Sequence, residues 1–251
     1  KKTKYVMLYL HGFSASPEEG KPIHQGVALR YGMNMYAPRL AEMGLDENEP
    51  MLNFTAEKFM ASAAEALKVA HLLGDTVILM STSTGCTAAL FLAAQKKGIH
   101  SLICYSPNIQ VFDHRASLLT KPWGLQIARK VKGSDYNVWK APAGAEKYWH
   151  LKYRLEATVE LQRLIDGTMK PEVFSGINIP TFMGYYYKDE AHQDDVVSVD
   201  AMLNMFDKLG SPIKKKVAFP NADAHCIPSQ YFSKDVENVF VGIFGLLISL
   251  I

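Results

Sequence analysis

Three groups in this chain could together activate a hydroxyl: Ser83, His225 and a run of acids between Asp189 and Asp195. A serine hydroxyl is a weak nucleophile until a base takes its proton, and an imidazole base needs a carboxylate to hold its tautomer. Ser83 stands in Ser81-Thr82-Ser83-Thr84-Gly85, between the apolar run Val77–Met80 and the Ala- and Leu-rich stretch Thr84–Gln95. The first reads as a fully buried strand and the second as a helix. A strand that turns sharply into a helix forces the apex side chain outward, which presents the Ser83 hydroxyl to a cleft. The two backbones nearly touch in such a turn, so the positions two before and two after the apex must be small. Ser81 and Gly85 meet that need. The bland alternative is a polar loop whose serines and threonines only cap the helix.

His225 follows Phe219-Pro220-Asn221-Ala222-Asp223-Ala224, in a loop after the last strand. The other seven histidines lack that setting: His11 is in a strand-end turn, His71 in a helix and His100 beside a strand. His24, His114, His150 and His192 follow no strand on the required side of a sheet. The segment Tyr187–Val197 follows the preceding strand and offers Asp189, Glu190, Asp194 and Asp195. A negatively charged oxygen formed in the reaction needs two backbone N–H donors aimed at one point. Thr84, at the helix N-terminus, supplies one; Phe13, in the turn after the first strand, is the expected second. Gly12 lets that backbone approach closely, although His11-Gly12 also suits an ordinary strand-ending turn.

The elements that must carry these groups alternate. Tyr5–Leu10, Met33–Ala37, Val77–Met80, Ser101–Tyr105, Thr181–Tyr187 and Lys215–Phe219 read as six apolar strands. Amphipathic helices fall between them: Pro22–Tyr31, Thr55–Leu73 with Thr55 as its cap and Gly74 as its stop, and Ser198–Leu209. The fold class is therefore α/β, a mostly parallel sheet flanked by helices. Asn108–Asn178 breaks the rhythm, with helical pieces and no readable strand. It holds Trp123, Trp139 and Trp149, and its stretch His114–Arg154 has nine Lys and Arg against Asp135 and Glu146. A helical insertion of this length between two strands reads as a lid over a cleft, 108–178, on a core made of 1–107 and 179–251. The competing expectation is a solvated basic face, with the tryptophans anchoring the insertion to the core.

The 251 residues suit one generous domain, and 48% hydrophobic with 21% charged residues is ordinary for a globular chain. A formal net charge of +2 gives no reason to expect nucleic acid. Cys86, Cys104 and Cys226 have no C-x-x-C or zinc spacing, which argues against a disulfide framework. No metal or organic cofactor is implied, because no ligand-spaced His/Asp/Glu cluster and no phosphate-type glycine loop occurs. The chain enters a strand almost at once with no signal peptide in view. Localisation stays open between the cytoplasm and export with a leader outside this chain. The tail Val239–Ile251 is apolar, short of the ~20 residues that span a bilayer. It is expected to pack as a terminal helix, and it leaves both a monomer and a homodimer open.

His11-Gly12-Phe13-Ser14, the Ser81–Gly85 turn, Asp194-Asp195-Val196-Val197 and Ala224-His225 together resemble the α/β-hydrolase superfamily. Within it the chain is most similar to the carboxylesterase and monoacylglycerol-lipase-like branch, which often has P-R-L after the second strand, here Pro38-Arg39-Leu40. The likeness runs over nearly the whole chain and is weakest in the insertion. One departure is Ser81, where the branch usually has the first Gly of G-x-S-x-G; another is a longer acidic loop. The resemblance implies a serine hydrolase acting on small-molecule esters, with Ser83 as nucleophile, His225 as base and Phe13 and Thr84 at the oxyanion. It also selects Asp194 from the four acids, since members often read D-x-V-V with the first Asp catalytic; Asp189, nearer the strand end, is the runner-up. A peptidase or other hydrolase on the same scaffold, or a binding protein without chemistry, is the alternative reading.

Overall fold

The computed structural model describes residues 1–95 and 98–244. Its first four strands are β1 (Thr3–Leu10), β2 (Asn34–Tyr36), β3 (Gly74–Thr82) and β4 (Ile99–Tyr105). Two short ones follow in the insertion, β5 (Tyr136–Val138) and β6 (Lys152–Arg154). Then come β7 (Thr181–Tyr185), β8 (Tyr187–Asp189), β9 (His192–Gln193) and β10 (Lys214–Ala218). Six of them form one parallel sheet in the order β10-β7-β4-β3-β1-β2.

Parallel neighbours cannot be joined by a tight turn, so each step needs a crossover. The crossovers carry α1 (Ile23–Arg30), α2 (Ala56–Leu73), α3 (Thr84–Ala94) and, after the insertion, α7 (Val199–Lys208). Side chains alternate along each strand and so feed two layers. Val6, Leu8 and Leu10 of β1 pack with Phe59, Ala63 and Leu67 of α2 and with Leu90 of α3. Met7 and Tyr9 face the other way, onto Ile23 and Val27 of α1 and Val239 of α8 (Val236–Gly242). Burying a side chain of the size of Phe59 contributes about 2–3 kcal/mol. The start of α2 is fixed by Thr55, whose hydroxyl accepts from the Lys58 N–H at 3.1 Å. The expected terminal helix is met as far as α8; residues 245–251 lie outside the described residues. Among the described residues no helix is long and apolar enough to cross a membrane.

Segment 108–178 connects two strands that are neighbours in the sheet, β4 and β7. It contains α4 (Gly124–Lys132), α5 (Leu155–Thr168) and α6 (Pro171–Ser175), as its pattern suggests. It also contains an antiparallel pair, β5 with β6, that the sequence reading lacks. Three-residue strands are too short to show a period of two. Side chains add to the pair's backbone ladder: Lys152 Nζ lies 4.0 Å from the Tyr136 ring centre, and Tyr136 donates to Glu49 of the core at 2.7 Å. The basic face is also less free than its composition suggests. Arg115 pairs with Asp113, Arg129 with Asp135 and Glu156, and Arg154 with Glu49 and Glu156.

Candidate active site

The C-terminal ends of the sheet strands carry every residue singled out for chemistry. Phe13 follows β1, Ser83 follows β3, Asp194 follows β7 through the β8–β9 hairpin, and His225 follows β10. Ser83 has φ 53° and ψ −121°, a region that side chains rarely occupy and that costs about 1–3 kcal/mol. Three backbone bonds hold it there. Its N–H donates to the Tyr105 carbonyl at 2.9 Å, and its carbonyl accepts from the N–H groups of Cys86 at 2.9 Å and Asn108 at 3.1 Å. Gly85 is required by contact: a Cβ on it would stand 2.1 Å from the Leu10 carbonyl oxygen. Ser81, in the place of the usual glycine, is accommodated with its hydroxyl donating to Cys86 Sγ at 3.2 Å.

His225 Nδ1 lies 2.7 Å from Asp194 Oδ2. Asp194 is fully buried, and its other oxygen accepts from the N–H groups of Val196 and Val197, each at 3.0 Å. An acceptor-only carboxylate at Nδ1 makes that nitrogen the donor and leaves Nε2 as the basic one. Nε2 is buried and without a hydrogen-bond partner among the described residues. Burial pulls the imidazole's pKa down, but the charge of Asp194 and its hydrogen bond, with smaller contributions from Glu19 and Asp195, leave it raised above the ordinary histidine value. The His225 carbonyl is clamped by the Ser106 hydroxyl at 2.7 Å, beyond the end of β4, and by the Ile227 N–H at 2.8 Å. Asp189 is elsewhere: exposed, its carboxylate contacts Nδ1 of His192 at 2.7 Å and the N–H groups of Ala191 and His192. Glu190 accepts from the Tyr187 hydroxyl at the surface.

The turn after β1 is held by side chains the sequence reading did not use. His11 is buried, its Nε2 accepting from the Leu40 N–H at 3.0 Å, so the proton sits on Nδ1, which donates to the Gly12 carbonyl at 2.9 Å. Burial lowers its pKa to about 4 and keeps it neutral. Glu19 Oε2 accepts from the Gly12 N–H at 2.6 Å. With Gly12's donor occupied, the next N–H along the turn is that of Phe13. Neither Phe13 nor Thr84 donates its N–H to another protein group among the described residues. Nothing in Pro17-Glu18-Glu19-Gly20 marks Glu19 as the buried member of an acidic pair, so its part in the turn was not readable.

The tryptophans divide. Trp149 and Trp139 pack on Phe232, with ring centres 5.0 and 6.4 Å apart, and anchor the insertion to the core. Trp123 is 73% exposed. The insertion reaches the turn after β1 through the His150 N–H, which donates to the Ser14 carbonyl at 2.8 Å. A cavity of about 560 Å³ lies between Ile109, His114, Gln162 and Met169, and one of about 350 Å³ beside Phe54, Trp123 and Val159. Ser83, Asp194 and His225 line neither. Among the described residues no three His, Cys, Asp or Glu side chains could hold one metal ion.

No protein-family model and no curated protein matches the sequence. Solved structures do match the fold. One, from work on the metagenome-derived lipolytic enzymes LipS and LipT, is 16% identical with a TM-score of 0.81 over 99% of this chain and 95% of that one. A thermophilic esterase from Thermogutta terrifontis is 17% identical with a TM-score of 0.65 over 100% of this chain and 92% of its own. The protein Est1E from Butyrivibrio proteoclasticus, with ferulic acid bound, is 14% identical with a TM-score of 0.65 over 100% of this chain and 90% of its own. Strand order, crossovers and these likenesses agree, and the chain has the α/β-hydrolase fold.

Proposed function

We propose that this protein is a serine hydrolase that cleaves carboxylic esters through an acyl-enzyme. The observation that carries the reading is the Asp194–His225 pair: a fully buried carboxylate at Nδ1 and a buried, unpartnered Nε2. Ser83, on a strained turn at the same end of the sheet, is the nucleophile the pair would serve. Ser83 Oγ attacks the ester carbonyl while His225 Nε2 takes its proton, and Asp194 stabilises the resulting imidazolium. The N–H groups of Phe13 and Thr84 receive the oxyanion, the latter helped by the free N-terminus of α3. The imidazolium then protonates the departing alkoxide as the ester C–O bond breaks. Water, deprotonated by His225, releases the acid and restores Ser83. The insertion 108–178 serves as the cover over this cleft, a role supported by its bond to Ser14 beside Phe13. Esters are favoured over other acyl groups because lipolytic enzymes and esterases are among the proteins of similar fold.

The test is hydrolysis of p-nitrophenyl esters from acetate to palmitate by the wild type and Ser83→Ala, beside labelling with a fluorophosphonate probe. Turnover should fall at least about 10³-fold in the variant, and the probe should modify Ser83 alone. Labelling of Ser83 without turnover of any ester would move the reading to amides; a folded wild type that neither labels nor turns over would leave a binding protein.

A further inference from the structure

Glu19 is only 1% exposed, and burying a carboxyl group is costly unless partners compensate it. Among the described residues its hydrogen-bond partners include no cation. Oε2 accepts from the Gly12 N–H at 2.6 Å and the Tyr9 hydroxyl at 3.1 Å, and Oε1 from Cys226 Sγ at 3.6 Å. The first bond is shorter than is usual between neutral groups, as expected when the acceptor is ionised. Two of these partners adjoin the proposed machinery. Gly12 precedes the proposed oxyanion donor Phe13, and Cys226 follows His225. A Cβ built on Gly12 would lie 2.9 Å from Glu19 Oε1 and 3.0 Å from Ser83 Cβ, so Gly12 packs against both the carboxylate and the Ser83 side chain.

We propose that Glu19 is a positioning residue of the hydrolytic site: its carboxylate fixes the turn that presents the Phe13 N–H, and its charge assists Asp194 in favouring the imidazolium of His225. This rests on the serine-hydrolase reading above and adds to it a second carboxylate on the opposite side of the site from the β7 loop.

The titratable groups facing Glu19 are Tyr9, Cys226 and His225; Asp194 and Asp195 act with it on His225. His24 packs edge-on to the Tyr9 ring and is turned to the Pro17 carbonyl. Burial pushes Tyr9 and Cys226 well up, so both stay neutral near pH 7. Burial also raises the Glu19 carboxyl, to about 7, against the Gly12 N–H and the positive charge of His225. The ionised form of Glu19 and the protonated form of His225 therefore favour each other.

Glu19→Gln keeps an oxygen for the Gly12 N–H and removes the charge; Glu19→Leu removes both. For Glu19→Gln we expect kcat to fall about tenfold with KM within about twofold. The acid limb of kcat/KM should move to lower pH by about half a unit or more, because a base without the extra negative charge loses its proton more readily. The His225 ring, followed by NMR against pH, should show the same displacement, which a purely structural role would not produce. Glu19→Leu should lose more kcat; if it does not fold, the Gln variant still decides. An acid limb and a His225 titration unchanged in Glu19→Gln would overturn the role of Glu19. Wild type that fails to label with the fluorophosphonate would instead overturn the hydrolase reading, so the two failures are separable.

Discussion

The turn after β3 and the turn after β1 lie side by side at the ends of neighbouring strands and are built in opposite ways. The first is held by size, backbone bonding and neutral side-chain bonds such as that from Asn108 Nδ2 to Thr84 Oγ1 at 3.2 Å. Gly85 leaves no room for a Cβ against Leu10, and the strained Ser83 is fixed by the backbone of Tyr105, Cys86 and Asn108. The second is held by ionisable side chains, with His11 on the Gly12 carbonyl and Glu19 on the Gly12 N–H. A turn made by sterics is indifferent to pH. One made by an imidazole and a carboxyl is not, and the two groups here are displaced in opposite senses. The proposed nucleophile thus sits on a fixed frame while its proposed oxyanion turn is adjustable.

The steric frame should break most completely at Gly85. In Gly85→Ala the new Cβ meets main-chain atoms of Leu10 and His11, which belong to a central strand and its exit and cannot rotate away. Overpacking of backbone against backbone costs on the order of 3 kcal/mol or more. The variant should melt about 10 °C or more below the wild type, or fail to accumulate as soluble protein. A melting temperature within about 2 °C would mean that α3 can slide, and that the frame is not rigid.

The same contrast explains what the sequence let one read. Small residues around Ser83 and the strand-to-helix change are local, so the turn after β3 and the six-stranded sheet were legible from spacing. Asp194 and Asp189 lie five positions apart in one polar loop, and only the resemblance chose between them. Their difference is three-dimensional: one is buried against His225, the other exposed beside His192. Glu19 and His11 were out of reach for a similar reason. Burial converts an ordinary acid and an ordinary histidine into paired backbone anchors, and burial of a loop depends on chain far away, such as Leu40 and Cys226. The β5–β6 pair escaped because strands of three residues are too short to show a period, and the contacts of Tyr136 with Lys152 and Glu49 that accompany it join residues far apart in the chain.

The ionisable turn should break more gently, and with a pH signature. His11→Ala leaves the Leu40 N–H and the Gly12 carbonyl without their side-chain partner, a loss of about 2–3 kcal/mol at pH 7 to 8. The folded-state pKa of about 4 lies below the unfolded value of 6.5. The native protein therefore binds fewer protons than the unfolded chain between these values, and this part of wild-type stability is lost as pH falls from 6.5 to 4. The gap in melting temperature between wild type and His11→Ala should shrink over that window. Glu19 acts with the other sign, since its folded pKa of about 7 exceeds the usual 4.5 and its ionisation destabilises the fold as pH rises between them. A gap that stays constant from pH 7 to 4 would show that His11 is not held neutral.

Ser81 supplies the smallest effect and the sharpest discrimination between the two kinds of turn. It is buried, and its hydroxyl has sulfur partners, Cys86 Sγ at 3.2 Å and Cys104 Sγ at 3.9 Å. Sulfur is a weak acceptor, and Cys86 can still turn its thiol to the Tyr105 carbonyl at 3.4 Å. If the frame rests on size, Ser81→Ala should change stability by no more than about 1 kcal/mol. Ester turnover by the variant should then stay within about threefold of wild type, since a threefold change in rate is well under 1 kcal/mol. A fall in turnover of an order of magnitude, with the melting temperature unchanged, would mean that the Ser81 hydroxyl helps aim Ser83. The turn after β3 would then depend on side-chain polarity just as the turn after β1 does, and the distinction between a steric and an ionisable half of the site would fail.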